Sequence, residues 1–180
     1  MFSINSLRKK RLKTKILVIG DTHISSFKDL PNKILQCIKD SNWIIHVGDY
    51  TTEDIVKGFN QLKPNYFKGV YGNSDPLIIR KLLPPKIVFE ISGIKIGIIH
   101  PESGGPEAFL KKRIMKEFKE HNVDVIAYGH THDAKIQWVG KTLLVNPGKG
   151  YIDEFSYTPS ASIAIITLGK EIKVEIKEIN

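Results

Sequence analysis

The sequence predicts an α/β fold in which two packed β-sheets are flanked by helices. Short β-branched apolar runs recur along the chain. Segments with helical spacing separate them in the first half, and turn signals join them directly in much of the second half. With 180 residues, 41% hydrophobic and 26% charged, the chain has the size and balance of one soluble domain with a single buried core.

The elements follow in order. Ile16 to Ile19 is a β-branched run ending in Gly20-Asp21 and reads as a strand. A helix follows, opened by Pro31 in its first turn, with Ile34, Leu35 and Ile38 on one face. Trp43 to Val47 is the next strand, and Thr51 with Asp54 suggests the cap of a helix through Leu62. Tyr66 to Tyr71 is the third strand. This β-α-β-α-β alternation argues for a parallel sheet with helices packed on it. Lys86 to Ile91 and Ile94 to Ile99 flank Ser92-Gly93 and read as a hairpin. A helix is expected from Glu107 to His121, then a strand from Val123 to Tyr128. Strands near Ile136 to Val139, Thr142 to Val145 and Ser162 to Leu168 complete the set, with an alternating edge strand at Ile172, Val174 and Ile176.

No repeat, low-complexity tract or linker interrupts this order, so residues 15–180 are taken as one domain and residues 1–14 as a basic N-terminal extension. Arg8, Lys9, Lys10, Arg11, Lys13 and Lys15 supply six of the eight net positive charges. Such an arm suits nucleic acid phosphates or is a solvated extension; no aromatic residue interleaves with it to stack on bases. No apolar run is long enough to span a membrane and no secretory signal opens the chain, so a cytoplasmic location is expected. Cys37, the one cysteine, reads as a small buried hydrophobe on a helix and excludes disulfides and cysteine-type zinc sites.

Five polar clusters each follow an apolar strand: Asp21-Thr22-His23, Gly48-Asp49, Gly72-Asn73-Ser74-Asp75, His100, and Gly129-His130-Thr131-His132. In α/β sheets, sites gather at the carboxyl ends of strands, so these clusters should meet at one edge. Imidazole mixed with carboxylate suits manganese, iron, nickel, cobalt or zinc. Seven donors exceed what one ion with an open position needs and fit two ions sharing a carboxylate, an arrangement that activates water against a phosphate ester. No Ser-His-Asp or Cys-His pattern and no phosphate-loop motif competes. His46, inside an apolar run, reads as a satisfied core group, and His121 as a helix-end cation.

In their order, D-x-H at Asp21 and His23, G-D at Gly48 and Asp49, G-N-x-D at Gly72 to Asp75, the strand-terminal His100 and G-H-T-H at Gly129 to His132 resemble the calcineurin-like metallophosphoesterases. The short length and Asn146-Pro147-Gly148 look most like the small single-domain bacterial and archaeal phosphodiesterases. The resemblance implies a four-layer αββα sandwich of two mixed β-sheets flanked by helices. It also implies a hydrolase that attacks phosphate esters with a metal-activated hydroxide and no covalent enzyme intermediate. By that resemblance Asp21, His23 and His132 hold one metal. Asn73, His100 and His130 hold the second, and Asp49 bridges both. Asp49 and Asn73 are then the catalytic pair, with His23, Asn73 and Ser74 at the substrate.

Ser74 stands where many members carry a histidine general acid, so aryl oxide leaving groups are expected to outperform alkoxides. His100-Pro101-Glu102 replaces the usual H-G-H. Lys149 follows Asn146-Pro147-Gly148 in place of Ser or Thr, and either reaches the site mouth to attract anionic substrate or is a solvated loop lysine. Two other functions share these residues: a non-catalytic protein-binding scaffold, as in the retromer coat relative with a decayed metal site, and a nuclease using the basic arm. The strand near Lys170 to Glu178 offers an edge for a homodimer or higher homo-oligomer, or one that its own lysines and glutamates protect from pairing.

Overall fold

The computed structural model describes residues 13–152 and 160–180. Its elements are β1 (Thr14–Ile19), α1 (Asn32–Lys39), β2 (Trp43–His46), α2 (Glu53–Leu62), β3 (Phe67–Gly69), α3 (Leu77–Leu82), β4 (Lys86–Ile91), β5 (Ile94–Ile99), α4 (Glu107–Glu117), β6 (Val125–Tyr128), β7 (Lys135–Val139), β8 (Thr142–Asn146), β9 (Ala161–Leu168) and β10 (Ile172–Ile179). They build two five-stranded sheets, ordered β10-β9-β1-β2-β3 and β4-β5-β6-β8-β7. Each sheet is mixed. A parallel trio, β1-β2-β3 or β5-β6-β8, is flanked by antiparallel strands.

The apolar runs explain the layering. Ile16 and Val18 point between the sheets, against Ile45, Val47, Ile96, Ile98, Val125 and Val145. Leu17 and Ile19 point outward, against Ile34 and Ile38 of α1 and Ile55 and Phe59 of α2. α4 covers the outer face of the second sheet with Leu110, Ile114 and Phe118 on Ile126 and Leu144. Strands buried on both faces need continuous apolar runs, not alternation, and each fully buried isoleucine contributes about 2 kcal/mol. β10, at the edge, alternates instead. The result is the expected four-layer αββα sandwich. No helix among the described residues is long and apolar enough to cross a membrane.

Some boundaries differ from expectation. β1 starts at Thr14, one residue inside the assigned extension; residues 1–12 of that basic arm lie outside the described residues. Thr51 and Asp54 do not cap α2. The Asp54 carboxylate instead accepts from Phe27 N (2.7 Å) and Ser26 Oγ (3.0 Å), and Thr51 Oγ1 donates to Ile24 O. These bonds tie α2 to the loop after β1. α4 stops at Glu117, because Phe118 leaves helical geometry and packs on Gly97. His121 therefore lies in the turns beyond the helix, not at its end. Residues 76–85, to which the sequence assigns no element, contain the helix α3.

The topology places the chemistry. β1, β2 and β3 run parallel and end at Asp21, Asp49 and Asn73, while β5 and β6 run parallel and end at His100 and His130. The loops of both sheets meet at one edge.

Candidate metal centre

Seven side chains converge there. His132 Nε2 lies 3.3 Å from Asp21 Oδ1, and His23 Nε2 lies 3.5 Å from Asp49 Oδ2. His100 Nε2 is 3.6 Å from that same Asp49 oxygen and 3.0 Å from Asn73 Oδ1, which lies 2.7 Å from His130 Nδ1. Two groups of donors are close enough to share an ion: Asp21, His23 and His132, and Asp21, Asp49 and His100. The first is the set that the family resemblance implied. The second brings Asp21 in beside Asp49, and His130 reaches it through Asn73.

The backbone aims these groups at some cost. Asp21, His23, Asp49, His130 and His132 all have positive φ, between 43° and 87°. The left-handed region costs a non-glycine residue on the order of 1 kcal/mol, and such strain gathers where a site needs it. Close approach explains two of the glycines that precede the clusters. A Cβ on Gly72 would strike the Asp49 carboxylate, and one on Gly129 would sit 2.7 Å from Asp21 Oδ2.

Further contacts hold the donors. His130 N–H donates to both Asp21 oxygens, at 3.2 and 3.0 Å. Ser74 N–H and its hydroxyl both donate to Asp49, at 2.9 and 3.0 Å. Ser74, expected at the substrate, is thus turned toward the carboxylate. Asp75 accepts four backbone N–H groups, from Asp49, Tyr50, Thr51 and Gly72. Burial raises its carboxyl pKa, while those donors pull it down. Arg80 on α3 donates to Asp75 O and Asn73 O, both at 2.8 Å, and so fixes the Asn73 loop. Asp75 belongs to a strand-end polar cluster of the sequence, whereas Arg80 carries no such mark. A G-N-x-D turn needs something to hold its carbonyls, but no local pattern names the residue.

His46 is fully buried and stacked on Tyr50 at 3.7 Å. Its Nδ1 accepts from Gly48 N–H, so Nε2 carries the proton toward Thr22 Oγ1, which donates to Asp49 O. It is the satisfied core histidine expected, and burial holds its pKa well below the usual range. Burial also lowers the His130 pKa, whereas the hydrogen bond to Asp21 raises that of His132.

The residues fit a cation. His100 Nδ1 lies 2.8 Å from Val47 O, which as an acceptor requires the proton on that nitrogen. Nε2 is then the nitrogen turned to Asn73 Oδ1 and Asp49 Oδ2, and with its lone pair free it makes a third donor to a cation beside those two oxygens. Among the described residues, His23 Nε2 is buried and has no hydrogen-bond partner. Such a set of lone pairs is costly unless a positive ion sits among them. A cavity of about 400 Å³, lined by Pro85, Ile99, His100, Pro101 and Arg113 among others, opens beside His100.

Comparison with known proteins agrees with this geometry. Residues 14–171 match the family model of the calcineurin-like phosphoesterase superfamily domain. A probable metallophosphoesterase of Methanocaldococcus jannaschii is 36% identical over 162 residues, covering 89% of this chain and 78% of that protein. A phosphodiesterase of the same organism is 30% identical over 155 residues, covering 77% and 86%. The solution structure of a Thermotoga maritima protein superposes with a TM-score of 0.70 at 29% identity, covering 92% and 99%. The chain belongs to the calcineurin-like phosphoesterase superfamily.

Proposed function

We propose that this chain is a two-cation phosphodiesterase whose centre consists of Asp21, His23, Asp49, Asn73, His100, His130 and His132. The observation that carries the reading is the cluster of facing acceptors at His100, Asn73 and Asp49, together with the unpartnered Nε2 of His23. The name of the Methanocaldococcus relative favours diesters. Asp21, His23 and His132 would hold one cation, and Asn73, His100 and His130 the other. Asp49, within 3.6 Å of both His23 and His100, would lie between them. Manganese, nickel, iron, cobalt and zinc all suit this mix of imidazole and carboxylate. Bound in a pair, such cations lower the pKa of water and neutralise charge on the phosphate oxygens.

The residues of the chain have separate tasks. His100 is kept in one tautomer by Val47 O, so its Nε2 faces the centre. Asp49 is oriented by Ser74 and is the central catalytic carboxylate. Asn73 keeps its amide at the mouth, where it orients a phosphate oxygen beside His23. No side chain stands as nucleophile: among the described residues the one hydroxyl–histidine pair, Thr22 with His46, is fully buried. With the Ser74 hydroxyl turned to Asp49, no group beside Asn73 among the described residues is left over from holding the cations to act as general acid, so the leaving group must depart on its own basicity. Aryl esters should therefore react faster than alkyl esters.

The test is to strip the protein with chelator, add manganese, nickel, magnesium or zinc singly, and follow an aryl phosphodiester and an aryl phosphomonoester. Cation-dependent cleavage, faster on the diester and lost in Asn73→Ala, is expected. Hydrolysis undiminished by chelator, or none with any cation, would contradict the reading, and the latter would favour a scaffold.

A further inference from the structure

Lys149 is the only lysine or arginine among the described residues that is buried, with 7% of its surface exposed. That sets aside the solvated-loop reading. Its ammonium lies 5.4 Å from the centre of the Tyr151 ring. The Tyr151 ring in turn meets His23 at 5.6 Å and His132 at 6.1 Å, edge-on to both. Among the described residues no hydrogen bond or ion pair reaches the ammonium. The stem is buried, but Nζ is not among the fully enclosed polar atoms without a partner, so the ammonium is within reach of a small anion. A single aromatic face satisfies only part of its charge.

The loop is locked to the centre at both ends. Gly150 N–H donates to Gly20 O and Asp21 O, at 2.9 and 3.2 Å. Asn146 Nδ2 donates to Thr131 Oγ1, between His130 and His132, at 2.9 Å. Asn146 Oδ1 accepts from Gly148 N–H, and Lys149 O accepts from Ser162 N–H. The loop therefore keeps a fixed place beside the Asp21–His23–His132 group, and the Lys149 charge is near enough to His132 to act on it.

We propose that Lys149, held against Tyr151, forms an anion subsite next to the centre that binds an ionised substrate oxygen. Resting on the phosphoesterase reading, this names a substrate class: phosphate esters that bring a second negative charge to the site, beyond the single charge of a simple diester. Lys149 is a specificity residue that touches substrate, and Tyr151 is its positioning partner.

The experiment measures binding of inorganic phosphate to the manganese-loaded full chain by calorimetry, with no turnover required. Lys149→Met, close in size and apolar, should weaken phosphate binding about tenfold, the worth of one charge-assisted hydrogen bond. Lys149→Arg should keep most of the affinity, and Lys141→Met, on the exposed β7–β8 turn, all of it. On aryl esters, Lys149→Met should raise KM for the monoester more than for the diester, with a smaller change in kcat. Unchanged phosphate affinity in Lys149→Met, or equal loss in Lys141→Met, would overturn the proposal. Should Lys149→Met fold poorly by thermal melt, a tenfold loss in well-folded Lys149→Arg would overturn it too. A wild-type chain that binds phosphate through Lys149 but cleaves no ester would support the subsite and contradict the hydrolase reading.

Discussion

The two sheets deliver their halves of the centre differently. The first supplies the oxygens, with His23 as its one imidazole: Asp21 and Asp49 are almost fully buried, and Asp75, also buried, holds four backbone N–H groups beneath them. The second supplies imidazoles, only one of which is buried and fixed. His100 is clamped by Val47 O, while the His132 side chain is 37% exposed. The carboxylates are thus placed by folding, because the N–H groups that hold them belong to the strand-end loops. His130 and His132 lie nearer to solvent, and their pKa values move in opposite directions. The comparison teaches that backbone donors fix the oxygen half within the fold, whereas His130 and His132 are held mainly by Asn73 and Asp21 and stand nearer to solvent.

The largest effect should separate the halves directly. Asp49→Ala should reduce cleavage to background at any cation concentration. His130→Ala should lose activity at low manganese but recover part of it at high manganese, because a weakened outer ligand can be offset by mass action. Equal, unrescued loss in both variants would break the distinction. Next, Asp75→Asn should destabilise the protein by about 2 kcal/mol or more, because an amide NH2 would face N–H donors; urea unfolding of the metal-free protein measures it. A neutral result would mean that the oxygen half is not placed by folding.

Arg80→Ala should do less. Its guanidinium is exposed, so stability should fall by under about 1 kcal/mol. Manganese affinity should fall about tenfold, because the Asn73 loop loses its two carbonyl anchors. An unchanged manganese titration would show that the loop holds itself.

The smallest effect concerns pH. His46 is buried neutral, so its folded pKa lies below the unfolded value near 6.5. The unfolded state then binds the extra proton first, and stability present above about pH 6.5 is lost as pH falls, by at most about 1.4 kcal/mol per pH unit for one proton. His130 acts in the same sense and His132 in the opposite one. Urea melts of the metal-free protein from pH 8 to 5 should show the decline, and His46→Gln should flatten it. An equally steep decline in His46→Gln would assign the effect elsewhere.

Much of this was legible because strand ends carry their own signal. The Ser92-Gly93 hairpin fell where expected, and the strand-end rule brought all seven donors to one edge. What escaped was non-local. Asp54 looked like a cap because it stands near the start of a helix, yet its partners Ser26 and Phe27 come from another loop. α3 has no polar N-cap and exposes Leu77 and Ile78, so amphipathic spacing could not reveal it. Arg80 and Lys149 are basic residues outside any motif, and their contacts exist only once the loops are folded.

The most direct test of the central claim is to count cations. Metal-free protein titrated with manganese and dialysed should retain two ions per chain by elemental analysis, and Asp49→Ala, which removes the carboxylate placed between the two cations, should lose both. One ion per chain, or two in Asp49→Ala, would contradict a paired centre.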